Sequence, residues 1–165
     1  MGSPLQGTHR QLFGRFKFLV DIDGFTSAAF QSATGLKFNI AVMEYWEGGT
    51  LAAYKEPGRA TFDNLTMERG VSYDLDFYTW IIDVIDMLAS LPEGSGQISP
   101  GFKKNLRVWQ QERDNSISVS YPVTAAFPTE WNASEWDNTS DEVSIESITL
   151  SYRYFTKENI GSPAA

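Results

Sequence analysis

The sequence predicts a mainly β fold, an antiparallel β-sandwich or open barrel of about six or seven strands with one flanking α-helix at about 73–90. Three observations carry that expectation. Apolar and polar residues alternate with period two along most of the chain, one stretch alone changes to a period of about 3.6, and Gly, Pro, Asn and Asp punctuate the segments between.

The first strand is predicted from Phe16 to Ile22, where Phe16, Phe18, Val20 and Ile22 alternate with Lys17 and Asp21, and Asp23 with Gly24 marks a turn. Leu36, Phe38, Ile40 and Val42 alternate with Lys37, Asn39 and Ala41, a second strand that extends into Glu44–Trp46 and ends at Gly48 and Gly49. From Gly48 to Gly58 the glycines and Pro57 read as a long loop. Arg59 to Glu68 reads as one strand with a bulge near Asn64, stopping at Gly70.

Phe77, Trp80, Ile81, Val84, Ile85 and Leu88 then fall at i, i+3, i+4, i+7, i+8 and i+11, the apolar face of an amphipathic helix. Ser72 or Asp74 caps its start, and Pro92 with Gly94 stops it. Its opposite face carries Asp76, Thr79, Asp83, Asp86 and Ser90. The stretch Pro92 to Gly101 is a loop by its Gly, Ser and Pro content.

A hairpin is predicted next, Leu106 and Val108 leading through a turn at Asp114 and Asn115 to Ile117, Val119, Tyr121 and Val123. The last strand, Val143 and Ile145 followed by Ile148, Leu150, Tyr152 and Tyr154, shifts register near Glu146 and Ser147, which predicts a bulge there. The whole, residues 1–165, reads as one domain with an arm at about 1–12 and a tail at about 158–165.

Composition removes several kinds of chemistry. With no cysteine there is no disulfide, thiolate ligand or cysteine nucleophile. The one histidine, His9, lies in the polar amino-terminal segment, so acid–base or metal chemistry at neutral pH has no histidine in the body of the chain. Thirteen basic against 21 acidic residues, a net charge of −8, oppose the phosphate neutralisation that nucleic-acid binding requires. No apolar run approaches the roughly 20 residues of a membrane span, and no secretory signal pattern opens the sequence.

The remaining candidates have plain readings. Of the carboxylate pairs Asp21 and Asp23, Asp74 and Asp76, and Asp83 and Asp86, the first lies on the polar face of a strand, and Asp76, Asp83 and Asp86 fill the solvated side of the helix, where carboxylates serve solvation or contact. The DIDG segment lacks a calcium loop's closing Glu, because the twelfth position from Asp21 is Ser32. Gly94–Gly96 has no Lys after it and no strand-to-helix setting, which excludes a phosphate loop. Sequons at Asn64, Asn132 and Asn138 are short enough to recur by chance. Trp131 and Trp136, read as lying in the loop before the last strand, are the best candidates for a sugar-stacking platform, with core packing or subunit contact as the competing use. No catalytic residue, cofactor site or metal site is expected.

The order of fragments adds an identity of type. FKFLVDIDG ending at Gly24, ATGL at Ala33–Leu36, EYWEGG at Glu44–Gly49, KEPG at Lys55–Gly58, NLTMERGV at Asn64–Val71, a helix holding Trp80, AFPTEW at Ala126–Trp131 and EVSIESITLSYRYF at Glu142–Phe155 together resemble the tail tube proteins of contractile phages. They are similar also to the tubes of phage-like protein translocation and antifeeding injection structures.

The resemblance covers nearly the whole chain and implies a structural, non-enzymatic subunit. Such a subunit forms hexameric rings that stack into a hollow tube conducting DNA or effector protein. It would be made in the bacterial host cytoplasm and reside in a virion tail or injection particle. Its implied partners are further copies of itself, a sheath if the machine contracts, the baseplate hub, a tape measure protein and a tube terminator. Glu44, Tyr45, Trp46, Glu47, Leu51, Tyr54, Lys55 and Pro57 would contact the adjacent ring, and Asp76, Asp83 and Asp86 would face the sheath. Two alternatives are a baseplate ring that initiates the tube and a carbohydrate-binding β-sandwich on a virion.

Overall fold

The computed structural model describes residues 18–25, 30–90, 100–111 and 117–160. In chain order they form β1 (Phe18–Ile22), β2 (Ser32–Thr34), β3 (Phe38–Tyr45), β4 (Tyr54–Phe62), β5 (Leu65–Gly70), the helix α1 (Asp76–Ser90), a 3-10 turn (Pro100–Phe102), β6 (Lys104–Gln111), β7 (Ile117–Asn132), β8 (Ile145–Ser151), β9 (Tyr154–Phe155) and β10 (Glu158–Asn159). The described residues are mainly β with one α-helix, as expected. An eight-stranded antiparallel sheet runs β1-β6-β7-β8-β5-β2, with β9 and β10 also paired to β7, and it does not close into a barrel. Strands β3 and β4 stand apart as a two-stranded ribbon.

The long strand β7 joins the two halves of the sheet. Its first half pairs with β6, and its second half pairs with β8. Lys104 faces Ala126 and Leu106 faces Val123, so Thr124 and Ala125 share one partner, Asn105. This bulge bends β7 from one half-sheet to the other. Ala125 takes φ 54° there, and its N–H donates to Asn105 Oδ1 at 3.0 Å. A side chain in that left-handed region costs energy that glycine avoids. Ala125→Gly is therefore expected to raise stability by about 0.5–1 kcal/mol, after discounting glycine's unfolded-state entropy, and thermal unfolding reads it as a Tm gain of roughly 2 °C.

One apolar cluster lies between the half-sheets and the helix. Val20, Ile22, Leu65, Met67, Leu106, Val108, Val123, Ile148 and Leu150 point into it from the strands, and Phe77, Trp80 and Val84 from the helix. Period-two alternation places each strand residue inward, as the sequence predicts. The Trp80 indole N–H donates to the Phe102 carbonyl at 2.8 Å, fixing the helix to the 3-10 turn.

Several expectations are corrected. The segment Gly48–Gly58 is not a loop throughout: β4 begins at Tyr54 and only residues 46–53 turn. Pro57 is tolerated because the ribbon is an edge element, opposite Val42, and the register slips between Ile40 and Val42 beside Gly58. Arg59–Glu68 is not one strand. The chain leaves the ribbon at Asp63 and Asn64 and enters the sheet at Leu65, with the Asp63 N–H on the Lys37 carbonyl.

No bulge interrupts β8, whose buried positions Glu146, Ile148 and Leu150 keep strict alternation. A carboxylate simply occupies an inward position, paired with Arg69. The helix starts at Asp76, capped by Asp74, whose Oδ1 accepts the Asp76 N–H at 3.0 Å. Glu158 and Asn159, assigned to the tail by sequence, pair with Ser120 and Val119. The arm at 1–12, Phe16, the turn at Asp114 and Asn115 and most of the 92–101 stretch lie outside the described residues.

Candidate assembly interface

The ribbon presents strands that alternate as though half-buried, yet every residue of β3 is exposed. Its register sorts the side chains onto two faces. One carries Phe38, Ile40 and Val42 with Phe62, Ala60 and Pro57 beside them, and ends at the Glu44–Lys55 ion pair at 3.2 Å. The other carries Met43 and, near the tip, Tyr45 stacked on Tyr54 at 5.1 Å. Ile40 and Val42 are 52% and 59% exposed, an apolar sheet face that no other described residue covers.

The base of the ribbon is held rigidly. Phe38, Phe62, Tyr152 and Phe155 form a ring cluster with centroids about 6 Å apart. The Tyr152 hydroxyl donates to the Gly35 carbonyl at 3.2 Å, and burial pushes its phenol pKa up. Gly35 has φ 110°, and a Cβ there would lie 1.9 Å from the Asn64 carbonyl oxygen, so only glycine permits this crossing.

At the tip, Thr50 closes the turn by donating its N–H and hydroxyl to the Glu47 carbonyl, at 3.2 and 2.9 Å, and Gly49 takes φ 91°. The eight ring-contact residues expected from sequence thus lie along the outer half of one hairpin. Trp46, Glu47 and Leu51 are at the tip, Glu44 and Tyr45 on β3, and Tyr54, Lys55 and Pro57 on β4.

The helix shows a different distribution from the expected one. Phe77, Trp80 and Val84 are buried, but Ile85 and Leu88, expected on the core face, are 51% and 56% exposed. The helix packs over β7 along one edge, so its apolar arc is wider than the core beneath it. Asp83 and Asp86 are exposed and Asp76 is half-buried in the first turn.

A buried ion-pair network, not foreseen from sequence, locks the helix start to the sheet. Arg69 on β5 pairs with Glu146 on β8, and its guanidinium also donates to Asp74 Oδ2 at 3.3 Å and to the Asp74 carbonyl at 3.2 Å. It lies over the Phe77 ring at 4.2 Å. Acceptance of the Asp76 N–H holds the Asp74 carboxyl below its usual range against the opposing effect of burial, with the Arg69 charge adding to the lowering.

No group of three or more potential metal ligands occurs among the described residues. The cleft lined by Val20, Phe25, Phe30, Arg69 and Phe77 holds only about 10 Å³ of free space, room for one water at most. The two tryptophans considered for sugar stacking have different settings. Trp131 lies on β7 rather than in a loop and is half-buried against Tyr78, at 5.4 Å between ring centroids, while Trp136 is 82% exposed. No helix among the described residues is long and apolar enough to cross a membrane.

Comparison with known proteins follows the same lines. The family model for the T4-like virus tail tube protein gp19 matches residues 14–156. No curated protein sequence matches the chain. Among solved structures, a chain in the anti-feeding prophage cap, the tube-terminating cap, is 26% identical, with a TM-score of 0.74 over 91% of this chain and 93% of that one. A chain in the sixfold-symmetrised anti-feeding prophage baseplate has a TM-score of 0.76 at 19% identity, covering 92% and 98%. One in the extended sheath–tube complex of the PVC extracellular contractile injection system has 0.71 at 22% identity, covering 97% and 100%. The last two likenesses concern the fold alone.

Proposed function

The chain belongs to the T4-like virus tail tube protein family, and from that premise we propose that it is the repeating inner subunit of a tube, six copies to a ring, the rings stacked around a channel for DNA or effector protein. The family's role is structural rather than enzymatic, and its members are components of a phage tail or injection particle. The observation that carries the proposal is the ribbon. A strand pair with a continuous apolar face that no other described residue covers favours a second molecule as its cover, and copies of the same chain supply one in a closed ring. The sixfold symmetry of the anti-feeding prophage baseplate, in which a similar chain sits, supports six as the copy number.

The working partners are then further copies of the chain, a sheath outside the tube, and baseplate and terminating proteins at its ends, as in the assemblies that hold its structural neighbours. A tape measure protein and the cargo pass inside. The net charge of −8 suits a channel that conducts without adsorbing DNA. The ribbon tip, from Glu44 to Pro57, reaches the adjacent ring. Native mass spectrometry of the purified chain tests the copy number: particles of six protomers are expected, and a persistent monomer at every concentration would contradict the proposal.

A further inference from the structure

The end of β5 away from the ribbon opens onto a second apolar surface. β5 leaves the ribbon at Leu65 and finishes at Gly70, opposite Ile145, and the Val71 N–H then donates to the Ser144 carbonyl at 3.0 Å. The turn from β7 into β8 lies at the same end, because Asn132, the last residue of β7, pairs with Ser147. Val71 and Val143 are 54% and 79% exposed there, Trp136 is 82% exposed and Tyr73 fully so. The backbone on which the two rings stand is fixed. Asp137 Oδ1 accepts the Thr139 N–H and hydroxyl at 2.9 and 2.7 Å on one side of Trp136, and Ser134 is buried on the other. The Arg69 guanidinium holds Asp74 beside Tyr73. Rings presented on an ordered backbone lose less entropy on binding, and an apolar patch of this kind marks a docking surface.

Charge complementarity selects the occupant. Glu135, Asp137, Asp141 and Glu142 flank Trp136 and Val143, and no Lys or Arg occurs between Trp131 and Arg153 or between Arg69 and Lys103. Residues 1–17 have the opposite character. They contain Arg10, Arg15 and Lys17, the apolar Leu12, Phe13 and Phe16, and no carboxylate, whereas the rest of the chain has ten basic against 21 acidic residues. The ribbon tip suits the patch poorly, since Glu44, Glu47 and Glu56 outnumber Lys55. The basic segment joins the fold at Phe18, opposite Gln110, which pairs with Val119 near the start of β7. Arg15, Phe16 and Lys17 therefore lie within about 10 Å of Phe18. Along β7, Val119 to the bulge spans about 17 Å, and the bulge to Asn132 about 20 Å more. A bulge bends a strand without reversing it, so these three residues do not reach the patch of their own chain.

We propose that the patch of Val71, Tyr73, Trp136 and Val143 receives residues 1–17 of a neighbouring copy, with Phe13 and Phe16 against the apolar side chains and Arg10, Arg15 and Lys17 against the carboxylates around them. Head-to-tail stacking brings the start of β7 in one copy to the end of β7 in the next, which closes the distance that a single chain leaves open. The contact is apolar at its centre and ionic at its rim, so that it resists salt better than a purely electrostatic one. This deepens, and rests on, the reading of the chain as a stacked tube subunit.

Carbodiimide coupling, which joins an amine directly to a carboxylate, tests the contact in assemblies made from equal parts of heavy-isotope-labelled and unlabelled full-length chain. Mass spectrometry is expected to find Lys17 joined to Glu135, Asp141 or Glu142 in mixed-isotope pairs. No such link, or links within isotope-pure pairs alone, overturns the proposal. R10E/R15E/K17E and E135K/D141K/E142K should each raise the concentration needed for tube growth about tenfold, and both sets in one chain should recover most of the loss. Growth of either set at the parent's concentration, or no recovery in the combined chain, also overturns it. A labelled peptide of residues 1–17 provides a readout that does not depend on assembly. Fluorescence anisotropy should show it binding the full-length chain, about tenfold more weakly in W136S/V143S, two exposed positions where serine leaves the core untouched. Unchanged affinity in that variant places the peptide elsewhere and overturns the proposal. Native mass spectrometry in parallel separates the two readings. Intact rings with neither mixed links nor bound peptide overturn this inference alone, whereas peptide binding by a persistent monomer overturns the tube proposal alone.

Discussion

Aspartate at both Ile40 and Val42 is expected to abolish ring and tube assembly while leaving a folded protomer. Both side chains are more than half exposed on the ribbon and neither belongs to the core cluster, so the change is worth about 0.5 kcal/mol or less in folding. In an assembly that covers this face the same carboxylates lose their water without gaining partners, at several kcal/mol each by transfer measures. Since each 1.4 kcal/mol is about tenfold in affinity, the loss exceeds roughly a hundredfold. Circular dichroism melts of I40D/V42D should match the parent, while sedimentation at concentrations where the parent forms rings should show monomers. Ring formation at the parent's concentration would remove the ribbon from the interface.

Arg69→Met is expected to be the most destabilising single change in the sheet, at about 3–5 kcal/mol. Arg69 is 5% exposed and Glu146 8%, so removal of the guanidinium strands a buried carboxylate and frees the helix start from β8. The double variant R69M/E146L replaces the pair with apolar side chains of similar size and should recover most of the loss. Urea unfolding of the parent, both single variants and the double variant gives the coupling energy directly. A loss under about 1 kcal/mol for R69M would show that the network is incidental.

The same network sets an acid limb. The folded-state pKa of Asp74 is depressed, so the stability it contributes is present above its unfolded value of about 3.9 and is lost as pH falls below that. Because Arg69 is one cause of the lowering, the acid limb of R69M should be shallower.

Most of the fold could be read from periodicity, since the core strands keep their apolar residues at every second position, apart from the bulge in β7 between Val123 and Ala126, and α1 switches to helical spacing. The failures have local causes. Pro57 and Gly58 resemble loop residues, and Pro57 sits in β4 because among the described residues that strand has β3 as its one neighbour. Glu146 interrupts an apolar alternation, and the sequence alone offers a register shift as the cheaper explanation. A signal was present nonetheless: Leu65, Met67 and Arg69 place a cation at an inward position of β5, matching the inward anion of β8 across the pair Arg69 and Glu146.

The ribbon was legible as strand but not as surface. Burial by another molecule leaves the same alternation in the sequence as burial by the chain's own core. Ile85 falls on the core face by its spacing, although it is 51% exposed.

Negative-stain electron microscopy of the purified chain over a concentration series tests the central claim most directly. Stacked rings around a central channel, lengthening as concentration rises, are the predicted result. Isolated monomers throughout the series, from protein whose circular dichroism shows the β-rich fold, would contradict it.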